Sequence, residues 1–149
     1  EEILSGGYDA LFLSNGPGDP AYLSGPISMV KECIGKLPLM GICLGHQLIT
    51  HALGGKTEKM PFGHHGSNHP VIDIHTGRTF VTAQNHGFMT TEESLPETVE
   101  VWLRNANDGT VEGLSCPEKK VISIQFHPEA APGPMEAEAL FENLIRNAE

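Results

Sequence analysis

Cys43 lies between two glycines in the run Pro38-Leu39-Met40-Gly41-Ile42-Cys43-Leu44-Gly45-His46-Gln47. An apolar stretch that breaks at a cysteine and resumes as an amphipathic segment has the form of a nucleophile elbow. In such a strand-to-helix turn the central residue is strained, and the residues two positions either side must be small. Gly41 and Gly45 meet that demand. The turn also sets the sulfur at a helix N-terminus, where unpaired N–H groups and the helix dipole favour the thiolate. A cysteine nucleophile needs a base, and the base needs a third group to fix its tautomer. His127 and Glu129 supply both, because Pro128 biases the chain toward extended geometry and residues two apart in an extended segment share a side. Cys43, His127 and Glu129 are therefore the expected catalytic group. Acyl transfer further requires donors to a developing oxyanion: the N–H of Leu44, next to the nucleophile, and that of Gly16, where backbone can approach a substrate closely.

The elements that must position these groups follow from periodicity. Tyr8 to Ser14 reads as a buried strand that delivers the breaker cluster Asn15-Gly16-Pro17-Gly18-Asp19-Pro20. Gly25-Pro26 opens a helix whose apolar positions are Ile27, Val30, Cys33 and Ile34, with Gly35 as its end. The strand leading to Cys43 comes next, then a helix with the stripe Leu44, Leu48, Ala52 and Leu53, closed by Gly54-Gly55. Alternating strands and helices imply a parallel sheet whose active site gathers at the strands' C-terminal ends, where Gly16 and Cys43 both fall. From Val71 to Leu114 the pattern shifts to short β-rich runs, Val71 to Ile74, Thr79 to Ala83 and Val99 to Leu103, which predict antiparallel additions. Val121 to Phe126 reads as another buried strand, and Pro132-Gly133-Pro134 starts a last helix carrying Leu140, Leu144 and Ile145.

At 149 residues the chain fits one domain, large enough to bury roughly 68–70% of its unfolded surface. A net charge of −10 with nine scattered basic residues argues against nucleic acid as a partner. No window has the apolar length of a membrane span, and no signal peptide is read. Three cysteines at unrelated positions do not form a disulfide framework, so a reducing compartment, the cytoplasm, is expected.

Other reactive residues have plainer readings. Cys33 falls on the apolar face of a helix, and Cys116 in a polar turn before Pro117. His46 on the elbow helix should point away from a substrate above the turn. His64, His65, His69 and His75 crowd one stretch, but Gly63, Gly66, Ser67 and Pro70 break any regular ligand spacing, and no carboxylate or thiolate lies in the run before Asp73. No metal is expected from them; a loop whose histidines bond backbone and brace a partner interface is. His86 is read as structural. No Gly-Lys-Ser/Thr follows Gly16-Pro17-Gly18, so that loop suits substrate backbone rather than phosphate.

The elbow together with His127-Pro128-Glu129 resembles the triad-type, class I glutamine amidotransferases. Ser14 to Pro20, Phe62-Gly63-His64-His65-Gly66-Ser67-Asn68-His69-Pro70, Gln84-Asn85-His86-Gly87-Phe88 and Pro128 to Pro134 narrow the resemblance to the small, glutamine-hydrolysing chains of carbamoyl-phosphate synthases. The resemblance runs from about Tyr8 to the C-terminus. It implies an α/β, three-layer fold: a mostly parallel sheet with helices on both faces and a small antiparallel β addition. It further implies that Cys43 attacks the glutamine amide, that His127 protonates the departing ammonia, and that Glu129 orients His127. The glutamine-holding positions implied are Gly16, Gly18, Leu44, Gln47, Asn85, Gly87 and Phe88. The implied partner is a large synthetase chain that uses ATP, Mg and bicarbonate, with no cofactor in this chain. Family members begin the domain with a further strand and helix, preceded by a separate N-terminal domain, so the chain reads as a fragment of 1–149 that lacks them. A lone γ-glutamyl cysteine hydrolase, an amidotransferase serving another synthetase, and a catalytically incompetent binding fragment are the competing readings.

Overall fold

A computed structural model describes residues 1–128 and Arg146. The chain runs α1 (Glu2–Ser5), β1 (Leu11–Leu13), α2 (Ser24–Cys33), β2 (Leu39–Ile42), α3 (Leu44–Ala52), β3 (Lys56–Asp73), β4 (Thr79–Thr91), β5 (Glu100–Asn105), β6 (Val111–Cys116) and β7 (Val121–Ile124). Among the described residues the strands form one seven-stranded sheet in the order β1-β2-β7-β6-β5-β3-β4. Parallel pairing joins β1 to β2 and β2 to β7, and every other neighbouring pair is antiparallel.

The α/β expectation holds, with an antiparallel part larger than the small addition expected. The reason lies in β3 and β4. The stretch from Phe62 to Pro70, expected to be a loop, belongs to the 18-residue β3. Its glycines and prolines do not end the strand; they break the ladder locally, with register shifts between Lys59 and His64 and between Gly66 and His69. Two long strands paired as a ribbon tolerate such bulges, which bend the strand and increase its twist. Cys116 is likewise no polar turn: it is the buried last residue of β6. The expected helix after Pro132-Gly133-Pro134 lies outside the described residues.

Alternation along β2 divides the core. Leu39 faces α2 and α3, packing with Val30, Cys33, Ile49, Ala52 and Val121. Met40 and Ile42 face the other way, toward Val71, Leu103, Ile124 and Phe126, with Phe80 and Trp102 alongside. That second cluster joins β2 and β7 to β3, β4 and β5, so one apolar body crosses from parallel to antiparallel pairing. α3 is buried along nearly its whole length, not only on its Leu44–Leu48–Ala52 stripe. It lies between the sheet and α2, and its polar residues must find partners inside the protein. Among the described residues no helix is long and apolar enough to cross a membrane.

Candidate active site

β2 ends one residue before Cys43, and α3 begins one residue after it. Cys43 takes φ 53° and ψ −107°, a conformation a side chain occupies only when the surroundings impose it. Three features do so. The Cys43 N–H donates to Ile124 O at 3.0 Å, and its carbonyl accepts the first helical bond from Gln47 N–H at 3.1 Å. A Cβ on Gly41 would come within 2.6 Å of the Gly45 carbonyl carbon, and one on Gly45 within 2.1 Å of Leu13 O. Both glycines are required because helix, turn and neighbouring strand pass in backbone contact, as the spacing predicts.

The sulfur is buried at the base of a cleft of about 460 Å³. It lies 3.9 Å from Asn85 O, and the side-chain amide of Gln125 donates toward it at 3.8 Å. Gln125 carries no exposure, so its amide orientation is held from within: its Oε1 accepts from Gln47 Nε2 at 3.2 Å. Gln47 Nε2 also donates to Phe88 O at 3.2 Å, which ties α3 to β4 across the cleft. An amide N–H beside the sulfur, together with the positive end of the α3 dipole, favours negative charge at Cys43.

The cleft is lined by Gly16, Gly18, Cys43, Leu44, Gln47, Asn85, Gly87 and Phe88, with Asn15, Pro17, His65 and His86. Every position expected to hold substrate thus borders one space, although they come from three separate segments. Gly16 approaches Leu44 so closely that a Cβ there would lie 2.9 Å from Leu44 Cδ2. His65 Nδ1 is 2.8 Å from Asn85 Oδ1, bracing that side chain. His127 follows β7, and its backbone N–H donates to Ala83 O at 2.9 Å, fastening the end of the parallel half to β4. Glu129 lies outside the described residues. Gln125 was missed in the sequence, although the rule that pairs His127 with Glu129 also puts Gln125, two residues earlier, on the same side.

His46 points away from the cleft, as expected. Its Nδ1 is 2.7 Å from Ser123 Oγ and its Nε2 3.0 Å from Thr90 Oγ1. Thr50 Oγ1 donates to His46 O, so Thr90 must donate to Thr50 and accept from His46 Nε2–H. This chain of hydroxyls assigns the neutral Nε2–H tautomer. Burial, aided by the nearby His86, pushes the His46 pKa down to about 3.

The model of the family described as "Glutamine amidotransferase class-I" matches residues 1–147. The chain belongs to this family. It is 53% identical over 143 residues to the carbamoyl phosphate synthase small chain of Akkermansia muciniphila, covering 96% of this chain and 38% of the relative. It is 51% identical to the chloroplastic small chain of Oryza sativa subsp. japonica, covering 97% and 32%. For the small chain of Clostridium perfringens the figures are 47%, 99% and 42%. The chain thus spans between about a third and two fifths of the length of these curated relatives. Two solved structures share its fold. One is a Thermoplasma acidophilum protein described as a component of GMP synthase, with a TM-score of 0.82 and 23% identity, covering 99% of this chain and 75% of that one. The other is a glutamine amidotransferase from Thermotoga maritima, with a TM-score of 0.66 and 19% identity, covering 91% and 64%.

Proposed function

We propose that this domain hydrolyses the side-chain amide of glutamine and that the ammonia goes to a large synthetase chain making carbamoyl phosphate. The observation that carries the reading is Cys43, held at positive φ at the base of a cleft whose walls are the expected glutamine-holding positions. Cys43 gives its thiol proton to His127, and the sulfur attacks the amide carbon, its electron pair forming the C–S bond. Charge developing on the carbonyl oxygen is stabilised by the N–H groups of Leu44 and Gly16. His127, oriented by Glu129, delivers a proton to the amide nitrogen, the C–N bond breaks, and ammonia leaves behind a γ-glutamyl thioester. Water, giving its proton back to His127, then hydrolyses the thioester to glutamate and regenerates Cys43. Asn85, Gly87, Phe88, Gln47 and Gly18 hold the amino-acid portion.

The carbamoyl phosphate assignment is supported by relatives of that name at about half identity over nearly the whole of this chain. ATP, Mg and bicarbonate are assigned to the large chain, and the product to arginine and pyrimidine synthesis. Three cysteines outside any disulfide suit a reducing compartment such as the cytoplasm, although the Oryza relative is named as chloroplastic.

A glutamine-like electrophile that traps thioester-forming cysteines tests this reading by intact mass. The expected result is one adduct, on Cys43, suppressed by free glutamine and abolished in Cys43→Ser. Modification of Cys33 or Cys116 instead, or labelling indifferent to glutamine, would overturn the nucleophile assignment. Glutamine hydrolysis that rises when the large synthetase chain is added supports the coupling; hydrolysis of γ-glutamyl peptides indifferent to that chain would replace it with a stand-alone hydrolase.

A further inference from the structure

Behind the cleft wall, four side chains from three strands bring acceptor atoms to one point. His64 on β3 and His86 on β4 have ring centroids 5.0 Å apart at an interplanar angle of 85°. Gln84 Oε1 lies 3.0 Å from His64 Nδ1 and 2.8 Å from His86 Nε2. Glu112 Oε1, from β6, lies 3.4 Å from His64 Nδ1, and the ligating atoms of His64, His86 and Glu112 all fall within 4.8 Å of one another. All four side chains belong to buried residues.

With the Gln84 amide as it stands and His86 neutral, two acceptors in this cluster face each other. His86 Nδ1 faces the Phe88 carbonyl at 2.8 Å and must carry its hydrogen there, which leaves Nε2 as a lone pair against Gln84 Oε1. Reversing the Gln84 amide would give both rings a donor. It would also turn the amide oxygen onto Thr82 Oγ1 at 3.0 Å, whose own hydrogen is directed to His69 O at 2.7 Å. Protonating both rings would satisfy Gln84 but pack two buried imidazolium ions together, whereas burial pushes the His86 pKa down to about 4. In every arrangement Glu112 Oε2, on a side chain with no exposure, is left without a hydrogen-bond partner among the described residues. A buried carboxylate oxygen in that condition is costly.

We propose that His64 Nδ1, His86 Nε2, Gln84 Oε1 and the Glu112 carboxylate bind one divalent cation of the zinc class. Two imidazoles, a carboxylate and an amide oxygen are a borderline donor set. Tetrahedral coordination at 2.0–2.1 Å sets donors roughly 3.3–3.4 Å apart; His64–Gln84, His86–Gln84 and His64–Glu112 stand at 2.8–3.4 Å and the ligating atoms of the two histidines and Glu112 within 4.8 Å of one another, so the set draws together around the ion. The outer shell is already built. His86 is oriented through its Nδ1–H by a backbone carbonyl, and His64 through Nε2–H by Asp108 Oδ2 at 2.6 Å. Glu112 Oε1 accepts from Asn105 Nδ2 at 3.2 Å, and Gln84 Nε2 donates to Thr82. Such partners fix the tautomers that turn lone pairs toward a metal. The cation is structural: it clamps β3, β4 and β6 behind His86, between Asn85 and Gly87 of the cleft wall. The histidine run alone did not reveal the site, because only one of its members contributes; His65 and His69 are outside the convergence, and the carboxylate comes from another hairpin.

The competing state is a proton, since the hydrogen bond to Glu112 and then that to Asp108 push the His64 pKa up to about 9 despite burial. The test uses the Cys43→Ser chain, so that the thiol cannot ligate, expressed and refolded with Zn(II) or Co(II) and then dialysed. Native mass spectrometry should show one metal per chain, and Co(II) should give the visible absorption of a tetrahedral N/O site without a thiolate band. Glu112→Gln and His64→Gln should each weaken Zn(II) binding at least tenfold. Zn(II) should also shift the imidazole 15N resonances of His64 and His86 in the chain with all four ligands intact, a readout that does not depend on either variant folding. Absence of stoichiometric metal, Zn(II) shifts confined to His65, His69 or His75, or a His64 ring protonated at both nitrogens with Zn(II) present, would overturn the proposal.

Discussion

At the scale of the residue, the elbow is the part of this protein where local chemistry and local geometry coincide. Gly45 has no room for a methyl group, because Leu13 O occupies the position 2.1 Å from its would-be Cβ, and backbone cannot yield as a side-chain tip can. Gly45→Ala is expected to cost about 1–3 kcal/mol or more, read as a lower urea midpoint, and to reduce labelling of Cys43 as the turn is displaced. His46 provides a pH signature. Its folded pKa is depressed to about 3, while the unfolded imidazole titrates near 6.5. Between those values the unfolded chain binds more protons, so this residue's contribution is present above about pH 6.5 and is lost as pH falls toward 3. His46→Gln should cost about 1–3 kcal/mol near pH 8 through its broken hydroxyl chain, and make the acid side of the stability profile shallower. Chemical denaturation across pH 4–8 checks both. Cys43, Gly41 and Gly45 were legible because an elbow is specified by neighbours in sequence. Glu112 was not, since a buried carboxylate acquires its role from strands far away in the chain, and of Gln125 only its side of the chain was legible, not its contact with the sulfur.

At the scale of the element, β7 and the residues after it connect the two halves of the sheet. Phe126 is fully buried and packs edge-to-face on Phe80 of β4 at a centroid distance of 5.7 Å. Phe126 also stands one residue before His127, whose N–H bonds Ala83 of the same strand. Phe126→Ala should cost about 3–5 kcal/mol by urea unfolding, and also slow the labelling of Cys43, because it loosens the attachment of β4 that carries Asn85 and Gly87. The strand–elbow–helix unit was readable from periodicity alone. The β3–β4 ribbon was not: Pro61, Gly63, Gly66 and Pro70 are breakers by local preference, yet the pairing continues past them through bulges. Tertiary pairing outweighs propensity in strands, where partners far apart in sequence supply the hydrogen bonds.

At the scale of the whole molecule, the core around Met40, Ile42, Val71, Leu103, Ile124 and Phe126 does not respect the boundary between parallel and antiparallel pairing. The halves are therefore expected to unfold together. Trp102, the single tryptophan, reports from β5, and among the described residues α2 and α3 contribute helical far-UV signal from the other half. Their urea midpoints should coincide, whereas an earlier fluorescence transition would show that the antiparallel half opens by itself. The sequence by itself determined the α/β class and the strand–turn–helix around Cys43 with its glycine neighbours, because these rest on periodicity and on spacings of a few residues; the Asn85–Phe88 wall of the cleft came only from the family resemblance. Only the tertiary structure decided how far the antiparallel ribbon extends, which amide lies against the sulfur, and which histidines meet a carboxylate. Those depend on strand order and register, and a sheet in which β3 pairs with β5 while β7 lies beside β2 joins residues that no local pattern connects.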